Sequence, residues 1–194
     1  MLLMQRISMA LAMLLLLLMF TGCAPKEQRE IKEYFDAVVK IEKDIDRIFT
    51  NREEMEKEIQ SKKPDFTRLQ GALKDQLSVL DDKIKEIKGL PVPESARAFH
   101  NHEIDGLEIL RKYTVTSAER FAALEKYYIL LQKDVKKMHP KEVIAIVNQG
   151  KSLAKKELEY VKKLNALSDE AAANKKKVQE EQQRLAKKYN ITLK

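Results

Sequence analysis

The chain has 194 residues, of which 35% are charged, 44% hydrophobic and only 6% aromatic, with 5 Gly, 5 Pro, one Cys and no Trp. That length bounds the protein to one domain or a small pair, and so few turn residues exclude an all-β sandwich or a doubly wound sheet, both of which need frequent Gly and Pro punctuation. The lone Cys excludes an internal disulfide framework and a CxxC metal or redox site. The formal charge of +7 is a functional hint only once it is located along the chain.

Residues 1–22 carry a single charge, Arg6, and an unbroken apolar run from Met9 to Phe20. Twelve residues at about 1.5 Å each reach only about 18 Å, short of a hydrocarbon core of about 30 Å. A basic start, a short apolar run and small residues at its end read as a secretory signal peptide. The only cysteine follows at once, in Phe20-Thr21-Gly22-Cys23. This resembles the lipobox of bacterial lipoprotein precursors, with Phe20 where Leu is most frequent. The resemblance implies cleavage between Gly22 and Cys23 and a diacylglyceryl thioether on Cys23, usually joined by an amide-linked third chain such as palmitate. Two or more chains anchor stably where one is marginal. Ala24 and Pro25 stand where many Gram-negative lipoproteins carry a retention Asp. The resemblance therefore implies the outer membrane where there is one, and otherwise the outer face of the cytoplasmic membrane.

Beyond a lipidated N-terminus at 23–25, apolar residues from Ile31 step alternately by 3 and 4: Ile31, Tyr34, Val38, Ile41, Ile45, Ile48, Arg52, Met55, Ile59. Such a seam marks a helix packed on other helices, and Phe35, Val39 and Phe49 widen it to the width a bundle needs. Lys63 and Pro64 close this helix, and Asp65 suits the next N-terminus. A second helix carries Phe66, Leu69, Leu73, Leu77, Leu80, Ile84 and Ile87, and stops at Gly89 before Pro91 and Pro93. A third is expected from Glu94 to about Met138, through Leu107, Leu110, Thr114, Ser117, Phe121, Leu124, Tyr128, Leu131 and Val135. Its β-branched stretch Tyr113–Ser117 invites a kink, and Thr116 with Glu119 fits a capping box. His139-Pro140 makes a corner, and a fourth helix runs from Lys141 to about Tyr189 through Val143, Val147, Leu153, Leu158, Val161, Leu164, Leu167, Val178 and Leu185. Its apolar spacing thins after Leu167, so residues 26–167 read as the bundle and 168–194 as a basic C-terminal helical extension. The fold class is all-α: an up-and-down bundle of about four long amphipathic helices with coiled-coil-like packing.

Few residues carry chemistry. His100 and Glu103 share the third helix's inner register one turn apart, and imidazole with carboxylate suits Zn²⁺ or Fe²⁺. A site needs three or four ligands, however, and the order His-x-x-Glu reverses the di-iron motif, so a half-buried His100 hydrogen-bonded to Glu103 or to the Pro91–Pro93 loop is the simpler reading. Gly106, with Thr114 and Ser117, makes the middle of this helix small and polar and marks where a pocket would lie. No CxxCH, GxSxG, HExxH or glycine-rich phosphate loop is present, so neither haem attachment nor hydrolytic or phosphate chemistry is expected, and the protein does not read as an enzyme. No cofactor is expected other than the covalent lipid. The segment Leu90-Pro91-Val92-Pro93-Glu94 followed by His100 is similar to a pattern in uncharacterised helical bacterial lipoproteins, which supports architecture alone.

The charge is local. From Cys23 to Gly150 the chain holds 24 basic and 24 acidic residues, and from Lys151 to Lys194 it holds 12 and 6. Lys175, Lys176, Lys177, Arg184, Lys187 and Lys188 are thus candidates for contact with anionic lipid headgroups or wall polymers, beside the simpler reading of a solubilising face. Nucleic acid is a poor target for an exported, tethered protein. The expectation is an envelope lipoprotein acting as a binding or structural module, similar in kind to helical cell-wall-binding lipoproteins, whose partners are the membrane and a wall polymer or envelope protein. The rival is a small-ligand or metal-binding bundle using His100, Glu103 and Gly106. The oligomeric state is not legible.

Overall fold

The computed structural model describes residues 26–50, 52–61 and 63–192; the expected signal peptide at 1–22, the Gly22–Cys23 junction and residues 23–25 lie outside them. The described chain is helical throughout, in the order α1 (Lys26–Phe49), α2 (Arg52–Ile59), α3 (Phe66–Lys88), α4 (Arg97–Leu131) and α5 (Pro140–Tyr189), with short 3₁₀ turns at Glu94–Ala96 and Val135–Lys137. Local chemistry sets most ends. The Asp65 carboxylate accepts from the Arg68 amide at the start of α3, and the Gly89 amide closes its end on the Lys85 and Glu86 carbonyls. His139 and Glu142 form a reciprocal cap ahead of Pro140 at the first position of α5.

Neighbouring helices alternate in direction. Lys83 meets Asp44 and Gln76 meets the Ile48 carbonyl, so α3 runs back along α1. Arg111 meets Asp81, Lys88 meets Glu108 and Gln70 meets Glu125, so α4 reverses again. Arg120 meets Glu157, the His102 carbonyl meets Asn174 and the Ser95 carbonyl meets Arg184, which sets α5 antiparallel to α4. The result is an up-down-up-down bundle in which α1 and α2 share the first position.

The core has two apolar clusters. The larger joins Ile31, Tyr34, Phe35, Val38, Ile41 and Ile45 of α1 to Leu80, Ile84 and Ile87 of α3, Phe99 and Leu107 of α4, and Leu185 of α5. Edge-on ring contacts of Phe99 with Tyr34 and with Phe35, at centroid separations of 6.1 and 5.1 Å, lock α1 to the start of α4. The smaller joins Met55 of α2 to Phe66, Leu69 and Leu73 of α3 and Phe121 of α4. Between them lies a polar layer of buried Gln76, Thr114 and Ser117.

Four sequence expectations need correction. The first helix does not run unbroken through Arg52, the one polar position of its seam, but stops at Phe49 and restarts as α2. Gln76 reaches across from α3 and donates to the Ile48 carbonyl at 3.3 Å, while the Thr50 hydroxyl donates to the Arg47 carbonyl at 2.9 Å, so carbonyls at the end of α1 find donors. The stretch Tyr113–Ser117 makes neither a break nor a cap: Thr114 and Thr116 return their hydroxyls to the Leu110 and Lys112 carbonyls inside a continuous α4. The third helix ends at Leu131, not Met138, where Gln132-Lys133-Asp134 interrupts it, and Leu131 and Val135 are 64% and 45% exposed. The fourth helix's expected seam also mixes two faces, since Val147 and Leu158 point outward.

Residues 168–189 continue α5 without interruption, and this part of the helix enters the larger core through fully buried Leu185, with Val178, Tyr189 and Ile191 packed beside it. Leu185→Ala is expected to cost about 2–5 kcal/mol, the usual range for emptying a closed site. Urea unfolding of the two chains checks this; a change below about 0.5 kcal/mol would mean that the end of α5 is not part of the core.

Candidate functional site

The sequence places its site candidates on the first half of α4, and the structure distributes them over three faces. Phe99 and Glu103 point into the bundle, His100 points toward α1, and His102 and Gly106 lie against α5.

His100 does not pair with Glu103. Its partner is Tyr34, whose hydroxyl lies 2.9 Å from His100 Nδ1. Burial lowers the imidazole pKa and raises that of the phenol, with the Glu103 charge adding to the latter. Both shifts favour a neutral pair in which the phenol donates to Nδ1. Tyr34 also lines a surface groove of about 290 Å³ between α1 and the Leu90–Pro93 loop, with Glu30 and Glu33 at its rim.

Glu103 is 92% buried, and its Oε1 has no hydrogen-bond partner. Loss of water, and then the charge of Glu42 on α1, push its pKa up to about 8. Glu42 remains open to solvent along much of its length, yet the crowding at its end also raises it, with Asp46 adding and Lys175 of α5 opposing. Glu103 is therefore mostly a neutral acid at pH 7. Lys175, itself exposed, is the cation whose charge reaches Glu42.

Gly106 serves helix approach. A Cβ there would stand 2.9 Å from the Asn174 amide nitrogen, which donates to the His102 carbonyl at 2.7 Å. His102 Nδ1 is itself buried without a hydrogen-bond partner, 4.0 Å from the Asp105 carboxylate. Nothing in the sequence spacing flagged Tyr34 or Asn174 as partners, although Asn174 does keep the 3-and-4 step that links Leu164, Leu167 and Val178. Among the described residues no three His, Cys, Asp or Glu side chains stand together as a metal-binding group.

A cavity does lie at Thr114 and Ser117, closed by Phe49, Met55, Gln76 and Phe121, but Gly106 is not part of its wall. At about 30 Å³ it has room for about one water molecule rather than for a ligand of drug size.

The basic residues of the last helix are spread around it. Lys176 reaches Glu180 at 3.9 Å, Arg184 holds Glu181 and the Ser95 carbonyl, and Lys188 lies 4.8 Å over the Tyr189 ring. Lys177 borders a groove with Asp105, Glu108 and Glu170. Consecutive residues on a helix diverge by about 100°, so Lys175, Lys176 and Lys177 cannot form one patch. Comparison with family models, with curated proteins and with solved structures finds no match in any of the three.

The Glu103 pKa is raised by folding, so the folded state holds that proton more tightly than the unfolded chain. The group's stabilising effect is complete below about pH 4.5, falls as pH rises toward 8, and is lost above it. Glu103→Gln is expected to flatten the decline and to stabilise the protein at pH 9 by on the order of 5 kcal/mol. Urea titrations from pH 5 to 9 check this, and parallel pH profiles for the two chains would contradict it. Gly71 has open space around its missing Cβ. Gly71→Ala should therefore gain about 0.5–1 kcal/mol, while Gly106→Ala loses that gain by displacing Asn174, a contrast readable in thermal midpoints.

Proposed function

We propose that the protein is a lipid-tethered, non-enzymatic module of a bacterial cell envelope that uses its outer helix faces to bind an envelope protein or wall polymer. The tether rests on the Phe20-Thr21-Gly22-Cys23 sequence at the end of a short apolar run. The binding role rests on where apolar side chains are left over. Ile129, Leu131, Val135, Ile144, Val147 and Leu158 are all 45–64% exposed and all belong to the α4–α5 hairpin. Exposed large apolar side chains concentrated on one hairpin are what an interaction surface would draw on.

The two halves of this reading fit together spatially. Cys23 precedes α1 by three residues, and α1 starts where the Glu27 carboxylate accepts from the Tyr189 and Ser95 hydroxyls. A lipid on Cys23 would hold this end at the bilayer. The α4–α5 turn is then at the other end, about 50 Å away by the length of α4, presented to the space beyond the membrane.

Metabolic labelling with a palmitate analogue tests the tether: the wild-type chain should take up label and Cys23→Ser should not. An unlabelled wild-type chain would end the reading. Crosslinking in intact cells tests the binding role, which predicts a discrete adduct in an envelope fraction. A second reading, a small-ligand module, has the Tyr34 groove beside His100 in its favour. A small-molecule thermal shift that His100→Ala abolishes would select it.

A further inference from the structure

α5 carries two seams. The inner one runs through Val143, Ile146, Gly150, Leu153, Glu157, Tyr160, Leu164, Leu167, Asn174, Val178 and Leu185, all at least partly covered by the bundle. One residue further round, Ile144, Val147, Lys151, Ala154, Leu158 and Val161 repeat the same 3-and-4 spacing over about 26 Å. In this second set Ile144, Val147 and Leu158 are 60%, 48% and 57% exposed, Lys151 and Ala154 are open as well, and only Val161 is half-buried. A helix needs one seam to join its bundle, and among the described residues nothing packs along the second to cover it.

The width and charge of this second stripe define what would cover it. A helix lying in a bilayer surface presents a broad face of large apolar groups, whereas this stripe is one residue wide, contains no aromatic group and has a small residue at Ala154. Those are the dimensions of a helix–helix seam. Lys151 lies near its centre, and the row flanking it on the side away from the bundle carries Lys155, Glu159 and Lys162, so that this row and Lys151 together hold three cations against one carboxylate. None of the three makes an ion pair among the described residues. In-register parallel pairing with a second copy would set Lys151 against Lys151, and antiparallel pairing about the stripe's midpoint would set it against Ala154, so neither gives the buried cation a counter-charge. A carboxylate is the group that position calls for.

Resting on the binding-module reading above, we infer that the outer stripe of α5 from Ile144 to Val161 is the docking seam for an amphipathic helix of a partner protein with acidic flanks. The apolar positions supply burial. Lys151, Lys155 and Lys162 select the partner by charge and set its register.

The test uses the full chain in detergent micelles and a labelled three-heptad synthetic helix with leucine at its seam and glutamate at its flanks and central seam position. A lysine-for-glutamate copy of the helix is the control. Anisotropy should show saturable, salt-weakened binding of the acidic helix, with binding of the basic copy weaker by roughly tenfold or more. Val147→Asp combined with Leu158→Asp should reduce binding by a similar factor while leaving the thermal midpoint in place, because both side chains are exposed. Lys151→Glu, Lys155→Glu and Lys162→Glu together should reverse the preference. Equal binding of both helices, or of neither, would overturn the inference. So would loss, in the Asp variants, of self-association or of binding to phosphatidylglycerol vesicles, in place of helix binding. In cells, a photoreactive phenylalanine analogue at position 147 or 158 should yield the envelope adduct. Adducts from other faces alone would overturn the seam and leave the module reading standing, and adducts from no face would overturn both.

Discussion

Because α4 is flanked by α3 on one side and by α5 on the other, and also receives α1 through Phe99, its sequence has to satisfy three interfaces at once. That constraint explains its composition. A helix with apolar groups on every side would be a core rod, but α4 alternates large groups (Phe99, Leu107, Ile109, Phe121) with small or polar ones (Gly106, Thr114, Ser117). Phe99 and Leu107 belong to the larger cluster and Phe121 to the smaller, and the small groups let neighbours approach. At Gly106 the approach is closest, because Asn174 takes the space a methyl group would need. At Thr114 and Ser117 the space goes to Gln76, whose amide crosses from α3 to the end of α1. The break between α1 and α2 and the polar middle of α4 are therefore one feature. A carbonyl left over by the break is matched by a polar side chain that a wholly apolar layer would not admit.

The interior polar groups divide into those that are answered and those that are not. Arg120, with only 16% of its side chain exposed, donates to Glu157 on α5 at 2.8 Å and reaches Glu56 on α2 at 3.5 Å, which ties three helices at one level. Removing the arginine would leave a mostly covered Glu157, with 26% of its side chain exposed, beside no cation, the costly case for an ion pair. Glu103 is already in a related position and avoids it by holding its proton. An acid at that place, between Tyr34 and the edge carboxylate of Glu42, stabilises the bundle less than a leucine of similar size would. Its consequence is a bundle whose larger cluster is pH-sensitive near neutrality.

How much of this was legible depended on the range of the interaction. Asp65, Gly89 and Pro140 marked helix ends correctly because caps are chemistry within four residues. The seams of the first two helices were legible because a 3-and-4 rhythm of Ile and Leu has one reading when one face is buried. The interruption after Phe49 was not, since the group that stabilises it, Gln76, comes from the next hairpin arm. His100 was picked out, yet its partner lies 66 residues earlier, and no spacing on α4 alone points to Tyr34. In α5 the sequence reading merged Val147 and Leu158 with Leu153 and Leu164, because two apolar stripes offset by one residue look like one broad stripe until a neighbour covers one of them.

That offset bears on how the surface should be understood. A stripe widened by one position is ordinary where a helix sinks between two neighbours, and the second half of α5 does this, since Leu185 is enclosed by residues from three other helices. The first half lies beside α4 without such enclosure, because α1 and α3 approach the other side of α4. Ile144, Val147 and Leu158 are thus only about half covered by the described residues, and each leaves apolar area in water at about 25 cal/mol per Å². Lysine at those positions would remove most of that cost, its stem covering the same ground with the charge in water, as at the adjoining exposed Lys155 and Lys162. Apolar residues in that rhythm are best explained by a partner that covers them, and a narrow stripe with a cation at its centre restricts that partner more than a broad apolar face would.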